Sequence, residues 1–181
     1  TTMWLSAADG MQPTWIAYEF DRVYELHEMW VWNSNRVVES WAGIGLKDVL
    51  IEYSTDGSAW TSLAGVPEFT RAPGLDNYVH NTIVRFDGVP AKFVRITAGA
   101  NWGNPSQYGL SEVRFFHVPT RAREPSPGSG ARCLNVNDLV LSWRSGREAG
   151  RHRVYLSSDR DAVEHETALA AETREAGFKV D

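Results

Sequence analysis

Two runs of this chain carry side chains suited to holding a polar ring compound: Asn33, Asn35, Arg36, Glu39 and Trp41 in one, and Asn101, Trp102, Gln107 and Tyr108 in the other. Amides give and accept directional hydrogen bonds, and a guanidinium presents a planar fork of donors. Indole and phenol rings add a flat apolar face with one polar edge. A sugar matches this set, because its C–H face covers a ring while its vicinal hydroxyls meet the amides and the guanidinium. His80, in the run Leu75-Asp76-Asn77-Tyr78-Val79-His80, is the histidine placed to join them.

No comparable set exists for making or breaking bonds. Such chemistry needs a nucleophile with its base, or two opposed carboxylates. His27, His80, His117, His152 and His165 show neither metal-ligand spacing nor a neighbouring nucleophile motif. The first 119 residues hold 13 acids, enough to pair by chance, and no pair stands out. The chain is therefore expected not to be an enzyme. Its single cysteine, Cys133, excludes an intramolecular disulfide and any cysteine-based zinc site. Glu112, after Gly109-Leu110-Ser111, reads either as a surface carboxylate at a strand edge or as an oxygen ligand for Ca2+. Asp9 and Asp56 are further carboxylates that spacing does not select.

These residues must be positioned by β-strands. From Trp15 to Val118 the apolar period is two: Ile16, Tyr18 and Phe20; Met29 and Val31; Val49, Ile51 and Tyr53; Val84 and Phe86; Val94 and Ile96; Val113 and Phe115. Ser54-Thr55-Asp56-Gly57 supplies a hairpin turn, with Trp60 closing over it. Short strands broken by Gly, Pro and Asn predict an antiparallel sandwich or jelly roll. The connections over residues 34–47, 66–81 and 98–108 exceed what a hairpin needs, and long loops on a β scaffold commonly carry function. Seven of the eight Trp fall before residue 119, more than packing alone requires.

Charge narrows the partners. The net charge is −5, with 8 basic and 13 acidic residues over 1–119, and 7 arginines with 3 acids over 120–153. A nucleic-acid reader concentrates basic charge on its aromatic face. Here the aromatics lie in the acidic part, so nucleic acid is excluded. No apolar run reaches the roughly 18 residues of a membrane span.

Residues 119–130, with three Pro, two Gly and two Ser, read as an extended linker. Beyond it, Leu139-Val140-Leu141-Ser142-Trp143 and His152-Arg153-Val154-Tyr155-Leu156 predict two strands, and the Ala- and Glu-rich residues 159–177 are partly helical in character. Residues 131–181 are too few to close a sandwich.

In this order, several segments resemble the discoidin family, also called coagulation-factor type C domains, over residues 2–118. They are Thr2-Met3-Trp4, Trp15-Ile16-Ala17-Tyr18-Glu19-Phe20, the run 26–33, the run 45–60, Ala91-Lys92-Phe93-Val94-Arg95-Ile96 and Gly109-Leu110-Ser111-Glu112-Val113-Arg114-Phe115. Bacterial sugar-binding modules attached to glycoside hydrolases share this galactose-binding-like fold. The resemblance implies an all-β, eight-stranded antiparallel jelly-roll β-sandwich that binds carbohydrate through loops at one end. It also implies a structural Ca2+ held partly by Thr2 and Glu112. The family's other calcium ligands precede that Thr, so the chain reads as lacking a first strand and as a piece of a longer exported polypeptide. Residues 131–181 resemble the opening of a fibronectin type III or immunoglobulin-like module.

The expectation is a non-catalytic carbohydrate-binding module of a secreted bacterial multidomain protein, acting outside the cell or at its surface on a polysaccharide or glycan. The alternative is a protein- or surface-adhesion module on the same scaffold. Trp102→Ala is expected to remove glycan binding with little loss of stability.

Overall fold

Alternating side chains become strands wherever one face meets the core. The computed structural model describes residues 3–8, 12–103, 106–132 and 134–180. Two units are distinguished, Thr1–Val118 and Pro119–Asp181. In the first, β1 (Trp4–Leu5), β2 (Trp15–Asn33), β3 (Val49–Ser54), β4 (Thr61–Ser62), β5 (Thr82–Ala98) and β6 (Gly109–His117) form one antiparallel array in the order β1-β6-β2-β5-β3-β4. One short helix, α1 (Glu39–Ala42), lies between β2 and β3.

The two longest strands make the sandwich. β2 has 19 residues and β5 has 17, and they pair along their length with register shifts between Glu19 and Tyr24 and between Leu26 and Glu28. Only the second half of β2 pairs with β6. Yet Tyr18 and Phe20, from its first half, pack edge-on against Phe115 of β6 at 5.2 and 5.1 Å. The array therefore folds over on itself. With β2 and β5 each counted as two segments, this is the eight-stranded antiparallel jelly-roll β-sandwich expected from the sequence.

The bulges also settle a conflict of parity. Ile16, Tyr18, Phe20 and Leu26 face inward on even numbers, whereas Met29, Val31 and Asn33 do so on odd ones. Against β6, one extra residue of β2 at the Leu26/Glu28 shift turns the second run over, so that both face the same core. That core contains Leu26, Met29, Val31, Ile51, Phe69, Val84, Phe86, Val94, Ile96 and Leu110. Burying each of the larger side chains contributes about 1.5–3 kcal/mol.

The hairpin turn is stapled by its own residues. Asp56 Oδ1 accepts from the backbone N–H of Ser58 (2.8 Å) and of Ala59 (2.9 Å), and from Ser54 Oγ (3.0 Å). The N–H donors of Ala59 and Ser58, with the Ser54 hydroxyl, hold the Asp56 carboxyl well below the usual carboxylate range. Trp60 Nε1 donates to Gly57 O at 3.2 Å, and the Arg95 guanidinium lies 4.3 Å from the Trp60 ring centre.

In the second unit, β7 (Arg123–Ser126), β8 (Val140–Arg144) and β11 (Gly177–Lys179) form one sheet in the order β11-β8-β7, and β9 (His152–Tyr155) and β10 (Leu169–Thr173) form another. Residues 123–126, expected to be linker, are thus an edge strand. Pro125 is tolerated there because the edge needs no N–H donor, and Glu124 sits at positive φ where the register shifts. Of the residues 159–177, only α2 (Arg160–Glu164) is helical; β10 takes much of the rest. β8 and β9 do not pair with each other; Trp143 of β8 meets His152 of β9 edge-on at 5.2 Å. Among the described residues, no helix is long and apolar enough to cross a membrane.

Candidate functional site

Much of the expected recognition set turns inward and builds the loops. Asn33 is fully buried at the end of β2: its Nδ2 donates to Leu46 O (2.7 Å) and Thr70 O (3.0 Å), and its Oδ1 accepts from the Ser34 N–H (2.9 Å). Asn35 Nδ2 donates to Leu75 O and its Oδ1 accepts from the Gly74 N–H, both at 2.7 Å. Asn101 Nδ2 donates to Gln107 O (3.0 Å), and its Oδ1 accepts from the Gly103 N–H (3.1 Å). Glu39 is fully buried, with Oε1 accepting from the Gly45 N–H at 2.8 Å. These four residues satisfy backbone groups that loops leave unpaired and so staple the loops, while Glu39 Oε2 is buried without a partner among the described residues. Tyr78 belongs to the same framework. It accepts from the Asn33 N–H (3.0 Å) and donates to Asn81 Oδ1 (2.6 Å), and burial raises its pKa above the ordinary phenol value.

What the staples hold is an open cleft of about 690 Å³, whose lining includes Arg36, Ser40, Trp41, Arg71, Trp102 and Gln107. Trp41 sits on α1, two residues after the buried Glu39. On a helix, two residues correspond to about 200° of rotation, which turns Trp41 to the opposite side, 76% exposed. Gly43 ends the helix in the left-handed conformation, at φ 63°. Two glycines let the loops meet. A Cβ on Gly103 would stand 1.9 Å from Ala42 O, and one on Gly43 would stand 2.6 Å from Gly103 N.

The lining side chains differ in freedom. Trp102 Nε1 donates to Phe69 O at 2.9 Å, and Lys47 Nζ lies 5.1 Å from its ring centre. Gln107 Nε2 donates to Ser6 O at 2.8 Å. Arg71 donates through Nη2 to Glu39 O, while its buried Nε has no partner among the described residues. Arg36 Nε donates to the weak acceptor Met3 Sδ at 3.0 Å. The half-buried Trp102 is therefore as much a support as a surface, and these contacts argue against the expectation that its removal would spare stability.

Of the residues expected to hold a ligand, the structure brings Arg36, Trp41, Trp102 and Gln107 into this cleft. His80 lies elsewhere, stacked on Trp30 at 4.0 Å and 12°, and edge-on to Trp32 at 5.1 Å, on the outer face of β2. Tyr108 packs against the core, with its N–H donating to Ser6 Oγ at 2.9 Å. Arg71 escaped the sequence reading. It lies in the long connection 66–81, but no Asn or Trp stands next to it in sequence, and only the fold carries it to the cleft that Arg36 also lines.

Glu112 is exposed on β6, and its Oε1 accepts from Arg114 Nε at 2.6 Å. With Trp32, Asp76 and Arg36 it lines a neighbouring cleft of about 630 Å³. Thr2 and Asp9 lie outside the described residues. Among the described residues, no group of three or more His, Cys, Asp or Glu side chains is arranged to hold a metal. Ca2+ takes about six to eight oxygens, and the calcium expectation rests on Thr2 as well as on Glu112, so it falls partly on residues outside the described ones.

No protein-family model matches the chain, and no curated protein matches it. Among solved structures, it is similar to CBM32-3 from a family 31 glycoside hydrolase of Clostridium perfringens, at 20% identity and TM-score 0.47, over 64% of this chain and 75% of that one. It is similar to the F5/8 type C domain of a Bacteroides fragilis protein at 17% identity and TM-score 0.48, over 64% and 73%. A pectin-binding carbohydrate-binding module is similar at 18% identity and TM-score 0.46, over 74% and 76%. With TM-scores below 0.5, the function of the cleft is left to its own residues.

Proposed function

We propose that residues 1–118 form a non-catalytic carbohydrate-binding module whose ligand lies in the cleft between residues 34–47 and 98–108. The observation that carries this is the exposed Trp41 ring at a cleft that also presents Arg36, Arg71 and Gln107. An apolar ring face flanked by hydrogen-bond donors complements a pyranose, which has one C–H face and an equatorial belt of hydroxyls. The site is open and shallow, so affinity belongs in the millimolar to micromolar range, about −4 to −8 kcal/mol. Such a module would serve a secreted bacterial multidomain protein outside the cell, with residues 119–181 as a spacer of fibronectin type III or immunoglobulin-like kind. A glycan array followed by calorimetry tests the reading: saturable binding that disappears in Trp41→Ala is expected, and no binding to any glycan by the folded protein would refute it.

A surface-adhesion reading has one observation in its favour. Val37 is 82% exposed and lies four residues before the exposed Trp41, and such a pair of apolar tips suits a lipid or protein surface. Sedimentation with liposomes separates the two readings. Under the carbohydrate reading the protein stays in the supernatant.

A further inference from the structure

We infer that the cleft takes an acidic sugar, whose anionic oxygens face Arg36 and Arg71 while its ring lies on Trp41. This deepens, and rests on, the carbohydrate reading above. Over residues 1–119, acids outnumber bases by 13 to 8, yet among the described residues the cleft is lined by two arginines and no Asp or Glu. Neither arginine forms an ion pair among the described residues, although Lys47, Lys92, Arg95 and Arg114 of the same unit each do so. Arg36 contacts a thioether and Arg71 a carbonyl oxygen, both uncharged.

Among the described residues, no nearby acid forms an ion pair with either arginine. Glu39 is fully buried with one oxygen held by the Gly45 N–H, and it does not line the cleft. Asp76 and Glu112 line the neighbouring cleft, which Arg36 and Met3 also border, and Glu112 is held there by Arg114. Hydrogen bonds from a guanidinium to an anionic oxygen are roughly twice as strong as neutral ones, and its fork matches a carboxylate or a sulfate in bidentate fashion. A neutral hydroxyl would leave most of these donors to water. The expected ligand class is therefore a polysaccharide carrying uronate or sulfate groups.

Calorimetry on the full chain decides this with four probes: an oligogalacturonide, its methyl ester, a sulfated galactan and the desulfated galactan. At least one anionic probe is expected to bind ten-fold or more tightly than its neutral counterpart, and which pair shows the difference identifies carboxylate or sulfate. That affinity should fall when NaCl is raised from about 0.05 to 0.5 M. Arg36→Gln should lower it at least ten-fold at unchanged melting temperature, with Arg36→Lys partly restoring it. Neutral probes binding as well as or better than the anionic ones would overturn the acidic-sugar inference while leaving the carbohydrate reading in place. Failure of all four, together with a blank glycan array, would overturn both.

Discussion

Trp41 and Trp102 border the same cleft but answer to different forces. Trp41 has solvent around most of its ring, whereas Trp102 gives its N–H to Phe69 O and lies under Lys47. Trp41→Ala should therefore weaken glycan binding at least ten-fold while moving the melting temperature by no more than about 1 °C, since exposed substitutions usually stay within about 0.5 kcal/mol. Trp102→Ala should cost about 1–3 kcal/mol of stability through the lost hydrogen bond and packing, visible as a lower urea midpoint. Asp56 supplies a pH signature. Its carboxyl is depressed in the folded state by backbone N–H donors, so its stabilisation is complete above the ordinary carboxylate value near 4 and is lost as pH falls towards the depressed value. Urea midpoints of the parent and of Asp56→Ala should differ at pH 7 and converge in acid. A constant gap down to pH 2 would contradict the assignment.

At the scale of elements, the cleft exists because two loops touch backbone to backbone. Gly103 has no room for a methyl group against Ala42 O, and Gly43 has none against Gly103. Gly103→Ala should push the Trp102 loop from α1, lowering stability by about 2 kcal/mol or more and abolishing glycan binding together with it. Differential scanning fluorimetry with calorimetry checks both readouts, and retained binding at unchanged melting temperature would show that the loops need not meet. The strands themselves were plain in the alternation of Ile16, Tyr18 and Phe20 and of Val94 and Ile96. The bulge after Leu26 was not, because one inserted residue alters the pairing without altering the residue types.

For the whole molecule, burial is unevenly shared. Every buried apolar side chain of the described core except Val154 belongs to Thr1–Val118. The two sheets of Pro119–Asp181 are joined by contacts such as Trp143 against His152, and Trp143 Nε1 is buried without a partner among the described residues. With so little apolar area removed from water, this unit should open more readily. Hydrogen exchange followed by mass spectrometry should show β8, β9 and β10 exchanging well before the central pairing of β2 with β5. Equal protection in the two units would argue that the second is stabilised by something other than its core.

The sequence by itself determined the all-β class, the long loops and the types of side chain available for recognition, because period-two alternation and turn residues act locally. It did not determine which polar residues face a ligand. Asn33, Asn35, Glu39 and Asn101 carry the right chemistry, but buried loop backbone needs hydrogen-bond partners and takes them first. Nor did it place Arg71 with Arg36, 35 positions apart in the numbering, or send His80 to Trp30. Those outcomes depend on how the folded array and its glycine contacts bring distant loops together, and only the tertiary structure decides them.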